Sequence, residues 1–200
     1  FTGLVFSMNT LNALIELQAE GMVAPSMTLS LSRELGPILT ALLVAGRSGS
    51  AVSTELGTMR VTEQVDAMTV MGVDPVSYLV APRAIALLVT LPLLDGIFVL
   101  TGLYGSILAA EPFGISGQLF IQEALRMADA NDLYVGMLKS LVFGFMIAVV
   151  AAGEGFSAEG GAKGVGEAAT RTVVITSLLI LVLDYLMMLV LAPVMLGFDV

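Results

Sequence analysis

Long apolar runs separated by short polar stretches dominate the chain and predict membrane-spanning helices. The runs lie at about 27–57, 83–110, 135–152 and 172–196. A helix needs about 20 residues to cross a hydrocarbon core of roughly 30 Å, and these runs are close to that length or longer. The opening run, 1–15, is too short to cross alone. We interpret it as the second half of a first membrane helix.

A short segment between the second and third runs has the period of an amphipathic helix but is too short to span. It covers 60–72, and its apolar face consists of Val61, Val65, Met68 and Met71. Methionines make such a face adaptable, which suits the docking of a partner. The alternative is an interfacial helix that lies on the lipid of its own membrane.

Small residues recur at every fourth position along the second predicted helix. They form two stripes, Gly46/Ser50/Thr54 and Gly49/Ser53/Gly57. Such stripes let helix backbones approach closely in lipid, so we expect them to mark helix packing. Pro37 lies in the first third of this helix and is expected to kink it.

The distribution of basic residues predicts the orientation. The segments 58–82 and 153–171 contain or adjoin most of the basic residues outside the spans, namely Arg60, Arg83, Lys163 and Arg171. The positive-inside rule places both segments in the cytoplasm and the C-terminus on the opposite, outer side of the membrane. We further expect a short helix at about 117–128 and a glycine-rich loop at 153–166.

Composition supports the membrane assignment and excludes several functions. Hydrophobic residues make up 57% of the chain and charged residues 12%, about half the charge of a soluble domain. We therefore predict an all-α polytopic membrane protein with about five transmembrane helices, the first truncated, forming one domain over 1–200. The net charge of −9 disfavours nucleic acid as a partner. The absence of Cys and His excludes disulfides, zinc sites built on these residues and His-dependent catalysis.

Two local motifs suggest enzymes but lack essential parts. Gly46-Arg47-Ser48-Gly49 resembles the motif of intramembrane serine proteases, whose chemistry needs a His base. The run 160–164 resembles a phosphate loop, but Gly follows its lysine where Ser or Thr is required. We therefore expect a non-catalytic chain with no cofactor, no metal and no ATP site of its own.

Charged residues within the apolar runs are the candidate functional residues, because a charge in lipid is costly unless it is paired or faces a polar cavity. Arg33 and Glu34 could line a central cavity or form a structural ion pair at the outer end of the helix. Arg47 lies deeper, where we favour a role in the cavity or snorkelling. Asp95 and Asp184 could belong to a proton relay, although hydrogen-bonded structural carboxylates fit them better.

Several motifs together resemble the MlaE/YrbE permease family, the membrane subunits of ABC transporters that move lipids in partnership with MCE-domain proteins. The resemblance is carried by Arg33-Glu34-Leu35-Gly36-Pro37, the runs 45–51 and 55–64, Val73-Asp74-Pro75, Pro82-Arg83, the run 169–174 and Leu183-Asp184. It covers nearly the whole chain.

The resemblance implies a homodimer in the bacterial inner membrane, with cytoplasmic ABC ATPase subunits and a periplasmic MCE-domain protein. It implies a fold of five spans with a coupling helix between the second and third, and a phospholipid cavity at the dimer interface. Arg33, Glu34 and Arg47 are then the expected lipid-binding residues. The expected ATPase-coupling residues are Arg60, Glu63, Gln64, Asp66, Met68 and Met71.

Two other functions remain open from the sequence. A proton-coupled secondary carrier would use Asp95 and Asp184 and would need no motor subunit. A membrane scaffold that only anchors an MCE ring would show no lipid turnover.

Overall fold

A computed structural model describes residues 1–127 and 129–195. These residues contain α-helices and shorter helical turns, and no strand. The α-helices are α1 (Thr2–Glu16), α2 (Val23–Ser30), α3 (Gly36–Val44), α4 (Ser50–Val61), α5 (Gln64–Val70), α6 (Ala81–Ala110), α7 (Gly117–Met127), α8 (Ala130–Phe156) and α9 (Ala162–Met195).

Helical turns join several of these helices into longer stretches. Three π-turns lie at Leu31–Leu35, Ala45–Gly49 and Val76–Val80, and 3-10 turns lie at Glu20–Met22 and Glu111–Phe113. Within the described ranges, four stretches are long and apolar enough to cross a membrane: Glu20–Val61, Val76–Phe113, Asn131–Phe156 and Ala162–Leu191. The chain is therefore an all-α, multi-pass membrane protein. A fifth crossing, to which the 15-residue α1 would contribute, remains a prediction.

Most predicted bounds are shorter than the observed stretches, because the helices continue into the flanking polar residues. The predicted short helix at 117–128 corresponds to α7, although position 128 lies outside the described residues. Position 196, the predicted end of the last span, also lies outside them.

Two of the π-turns are followed, after one intervening residue, by a proline. Gly36 N–H donates to the carbonyl of Leu31, five residues earlier, and Pro37 follows. Ala81 N–H donates in the same way to Val76, and Pro82 follows. Proline cannot donate to the carbonyl four residues earlier and its ring crowds that carbonyl. The wider turns accommodate both effects without ending the helix.

The predicted glycine-rich loop at 153–166 is wrong for most of its length. α8 continues to Phe156 and α9 begins at Ala162, so the connection contains only a few residues. Gly160 and Gly161 form its turn with φ of +80° and +70°. Gly155 lies within α8 and packs closely against α4, since an added Cβ would lie 2.8 Å from Leu56 Cβ. Close packing, not loop formation, explains this glycine.

One compact unit comprises 1–37 and 94–138, with the described residues from 191 onward. Its core is an apolar cluster formed by Leu11, Val23, Ala24, Met27, Leu31, Ala110, Phe120 and Ala124. α1 crosses α6 through small residues. The buried Ser7 hydroxyl donates to the carbonyl of Ser106 at 3.3 Å, and the Ser106 hydroxyl donates to that of Gly3 at 3.2 Å.

The second unit comprises 38–93 and 139–190. Its largest core cluster joins α3, α6, α8 and α9 and consists of Ala41, Val44, Ala45, Leu87, Leu91, Phe143, Met146, Ile147, Ala148 and Ile180. A smaller cluster, Leu56, Val65, Leu79 and Ala152, packs the short helix α5 against α4 and α8.

Candidate functional site

Arg33 lies in the π-turn Leu31–Leu35 and is held by an acid at the start of α8. Its Nε donates to Asp132 Oδ1 at 2.6 Å, and its Nη2 contacts the same oxygen. The Asp132 side chain is 5% exposed and also accepts the N–H of Asp129 at 3.0 Å. Sequence reasoning missed Asp132. The general cost of an unpaired arginine in lipid was the only signal that pointed to such a partner.

Glu34 follows in the same π-turn and is half-buried. Asp95, in the same compact unit, is 3% exposed and lies against the backbone of Gly36. A Cβ added at Gly36 would lie 2.6 Å from Asp95 Oδ1. Glycine at this position therefore makes room for a buried carboxylate beside the turn that contains Arg33 and Glu34.

Arg47 has different surroundings, in the second compact unit. It is exposed on the π-turn Ala45–Gly49, which no proline accompanies. Its side chain makes no ion pair with any described residue. π-turns within α-helices are rare and frequently occur at functional sites. All three predicted lipid-binding residues therefore lie in such turns.

The two stripes of small residues have opposite surroundings. Gly49, Ser53 and Gly57 are buried. Their close neighbours come from α8, α9 and the connection between them, as predicted for helix packing. Gly46, Ser50 and Thr54 form an open face beside Arg47, and no atom lies within 4 Å of a Cβ added at Gly46. We call this open face, Gly46 to Thr58 on the side of Arg47, the small-residue face.

The hydroxyls of this face are satisfied by their own helix. Ser50 donates to the carbonyl of Gly46 at 2.6 Å, and Thr54 and Thr58 each donate to the carbonyl four residues earlier at 2.8 Å. Such bonds are common for Ser and Thr in membrane helices. The face therefore presents methyl groups and backbone, and Arg47 is its charged group within this part of the span.

Lys139 and Asp184 form an ion pair between α8 and α9. Lys139 Nζ lies 2.9 Å from Asp184 Oδ1, and the Lys139 side chain is 0% exposed. The sequence offered a signal for this contact, because each residue is a charge within an apolar helix and opposite charges in lipid are expected to pair.

The segment predicted as one helix at 60–72 is divided. α4 continues to Val61, Glu63 adopts φ +61°, and α5 begins at Gln64. Val65 is buried and Met68 packs beside it against the cluster of Leu56 and Leu79. The predicted docking face is therefore largely turned toward the protein, because these side chains complete a core.

Exposed apolar residues lie instead at the end of α5 and after it. Val70 is 89% exposed and Met71 is 71% exposed. They belong to an exposed set that we call the apolar patch: Val70, Met71, Val73, Val76 and Tyr78. Of the predicted coupling residues, Glu63, Gln64 and Asp66 are exposed and Arg60 is ion-paired with Asp66.

Asp74 fixes the turn between Val73 and Val76, in the middle of the apolar patch. Its carboxylate accepts the Ser77 hydroxyl at 2.5 Å and the backbone N–H groups of Ser77 and Val76 at 3.0 and 3.3 Å. These bonds lower the pKa of Asp74 below its ordinary value. These hydrogen bonds are therefore fully present above the ordinary pKa of an aspartate. They are lost only as the pH falls through the lowered pKa of Asp74.

No three acidic side chains in the described ranges gather closely enough to hold a metal ion.

Comparison with known proteins agrees with this architecture. The family described as "Permease MlaE" matches residues 1–190. A "Probable ABC transporter permease protein" from Synechocystis sp. is 42% identical over 180 residues, which is 90% of this chain and 68% of the relative. The "Intermembrane phospholipid transport system permease protein MlaE" of Haemophilus influenzae is 35% identical over 189 residues, 94% of this chain and 72% of the relative.

A plant relative is similar over the same region. The Arabidopsis thaliana protein named "TRIGALACTOSYLDIACYLGLYCEROL 1, chloroplastic" is 38% identical over 188 residues, 94% of this chain and 54% of the relative. The match to the family over 190 of 200 residues and the identities above 30% lead to one conclusion. The chain belongs to the MlaE permease family.

Proposed function

We propose that the chain is the permease subunit of an ABC transporter that moves phospholipid or a similar amphipathic lipid. It would act as one permease domain in the bacterial inner membrane, with five crossings per copy and a periplasmic C-terminus. Its partners would be a second copy, a cytoplasmic ABC ATPase and a periplasmic MCE-domain protein. The family and the phospholipid-transport name of the Haemophilus relative support this proposal.

The exposed Arg47 on the small-residue face is the observation that carries the proposal. An arginine in the membrane interior is costly unless it meets an opposite charge or a polar cavity. Arg47 finds no ion-pair partner among the described residues of its own chain. The phosphate of a lipid supplies the missing charge, and arginine binds phosphate through two parallel hydrogen bonds. A second copy across the small-residue face would enclose the lipid.

The other proposed lipid-binding residues would act at the outer end of the same span. Arg33 is fixed by Asp132, which leaves its side chain partly exposed. Its proposed role is to hold the outer end of the helix and to contact a headgroup from there. Glu34, next to it, would orient the headgroup or close the outer opening.

The segment that contains α5 and the apolar patch would face the cytoplasm and form the contact with the motor subunit. The ATPase would bind the apolar patch and the polar side chains of α5, with Met71 in the contact and Met68 supporting it from within. ATP-driven closure of two ATPase subunits would then push on this segment in each copy. The cavity would change shape by alternating access and transfer lipid to or from the MCE-domain protein.

Lipid occupancy of the full-length permease tests the role of Arg47. We would measure bound phospholipid by native mass spectrometry for wild type, Arg47→Leu and Arg33→Ala. Arg126→Leu is the matched control, because Arg126 is exposed outside the spans on α7. Loss of a charge-assisted bond predicts occupancy about tenfold lower for Arg47→Leu, with little change in the control. Unchanged occupancy in Arg47→Leu would contradict the assignment, and unchanged occupancy and transport in Arg33→Ala would remove Arg33 from the site.

A further inference from the structure

Arg83 joins two membrane-spanning stretches at the level of the short helix α5. Its Nη2 donates to Glu55 Oε1 on α4 at 2.6 Å, and its Nη1 donates to the carbonyl of Leu79 at 2.6 Å. One guanidinium therefore holds a side chain of the second predicted span and the backbone at the start of the third. All three residues belong to the same compact unit.

The residues beside this contact form the core under α5. Leu56, next to Glu55, packs with Val65 of α5 and with Leu79, whose carbonyl Arg83 binds. The ion pair of Arg60 and Asp66 attaches α5 to the end of α4 as well. A displacement of α5 would therefore act on α4 through Leu56 and on the stretch that contains α6 through Leu79, and the contact of Arg83 with Glu55 links these two responses.

The geometry requires an arginine at this position. Arginine presents donors in a rigid planar fork, whereas lysine has one compact ammonium group. A lysine at position 83 could reach the carboxylate or the carbonyl but would not fix both together. The pair is largely exposed on the Glu55 side, so its contribution to stability is small. Its effect should appear in how α4 and α6 move together.

We propose that Arg83 is a positioning residue that ties the two membrane-spanning stretches together through Glu55 and the Leu79 carbonyl, so that a movement of α5 displaces both stretches as one. This inference rests on the proposed function, since it assigns a path for the force that the motor delivers. It predicts that loss of the contact uncouples ATP hydrolysis from lipid movement and leaves the motor bound.

The test uses the full-length permease co-purified with the ABC ATPase of its own host. The complex is reconstituted in vesicles of phosphatidylethanolamine and phosphatidylglycerol, and the lipid moved per ATP hydrolysed is measured. Glu55→Ala, Arg83→Ala, the double variant and Arg83→Lys are compared with wild type. Lys163→Ala and Glu167→Ala are the matched controls, because this ion pair lies within α9 and joins no two helices.

The proposal predicts that each single variant moves about three- to tenfold less lipid per ATP, which lies within the roughly two- to thirtyfold range by which substitutions along such a network change coupling. The double variant should be no worse than the singles, because both remove one contact. Arg83→Lys should resemble Arg83→Ala, and the controls should resemble wild type. If the alanine variants fail to retain the ATPase, Arg83→Lys decides the question, since it preserves the charge and most of the bulk.

Two results would overturn the role of Arg83 while leaving the proposed function intact. One is wild-type coupling in Arg83→Lys, and the other is a double variant whose loss equals the product of the single losses. A wild-type complex that binds the ATPase but moves no lipid with ATP would instead contradict the proposed function itself.

Discussion

Within the membrane-spanning stretches, the cations Arg33 and Lys139 are each held by a carboxylate of another helix. Arg33 is bound by Asp132 and Lys139 by Asp184. Arg47 has no such partner among the described residues and lies on the small-residue face. This difference divides the charges into those that hold the chain's own helices together and one that is available to a ligand.

Removing one partner of the Lys139–Asp184 pair should lower the stability of the protein more than removing both. Asp184→Leu takes the carboxylate away from an ammonium that is 0% exposed, which predicts a loss of about 3–5 kcal/mol. The double variant Lys139→Met/Asp184→Leu should recover most of this loss, because no buried charge is left behind. Thermal unfolding in detergent, followed by size-exclusion chromatography of a fluorescent fusion, measures both. A double variant less stable than Asp184→Leu would contradict the explanation.

At the scale of elements, close backbone contacts determine how the helices cross. A Cβ added at Gly3 of α1 would lie 1.9 Å from the carbonyl oxygen of Gly102 on α6. Ser7 and Ser106 exchange hydrogen bonds with backbone carbonyls at the same crossing. Small residues here replace the side-chain interlocking of other interfaces, as is usual in membrane helices.

Gly3→Ala should therefore separate α1 from α6 and lower stability by more than about 1 kcal/mol, since backbone must move to admit one methyl group. Gly96→Ala on α6 is the matched control, because nothing lies within 4 Å of its added Cβ. The control should be neutral or slightly stabilising, since alanine favours helix over glycine. Equal melting temperatures for the two variants in detergent would show that the crossing tolerates the methyl group.

The break before α5 depends on Glu63 in the left-handed region, with φ +61°. Glycine adopts this conformation without the steric cost that other residues pay, so Glu63→Gly should stabilise the chain by up to about 1 kcal/mol. Gln64→Gly, one residue into α5, should instead destabilise it by a similar amount. Thermal unfolding of both variants distinguishes them, and destabilisation by Glu63→Gly would contradict the assigned turn.

The hydrophobic period predicted the helical elements well and their interruptions poorly. Apolar runs located the four stretches among the described residues that are long and apolar enough to cross a membrane, because a span must be apolar over its length. The hydrophobic period does not reveal the π-turns, two of which accommodate a nearby proline, and it does not reveal the helical Gly155, whose close neighbours Leu56 and Ser53 are far away in sequence. The same limit applies to Asp132 and Arg83. A charge predicts that a partner exists, whereas the fold decides which residue it is.

The hydrophobic period of α5 indicated an apolar face but not what that face contacts. Val65 and Met68 do share an apolar face, but that face packs on Leu56 and Leu79. An amphipathic pattern does not determine whether the apolar face packs on the rest of the same chain, on lipid or on a partner protein. Met71 belongs to the predicted face but is exposed, and the exposed Val70 lies outside the period of that face.

At the scale of the whole molecule, the proposed function needs a lipid-facing surface and a surface that binds a motor subunit. Apolar side chains cover the exposed sides of the membrane-spanning stretches, for example Val174, Leu178 and Leu181 of α9. The apolar patch extends from the connection after the first of these stretches into the start of the stretch Val76–Phe113, in the segment that the positive-inside rule places in the cytoplasm. Contact between this patch and an ATPase is the central claim of the proposed function.

Co-purification of the full-length permease with the soluble ABC ATPase of its own host tests that claim most directly. The variants are Val70→Glu and Met71→Glu in the apolar patch, with Leu125→Glu on α7 as the equally exposed control. We expect wild type and Leu125→Glu to retain the ATPase and both patch variants to lose it, because a charge placed in an apolar contact must be desolvated. Retention by both patch variants would show that the patch lies on lipid. Absence of any ATPase from wild type would contradict the motor-driven permease and favour the proton-coupled carrier.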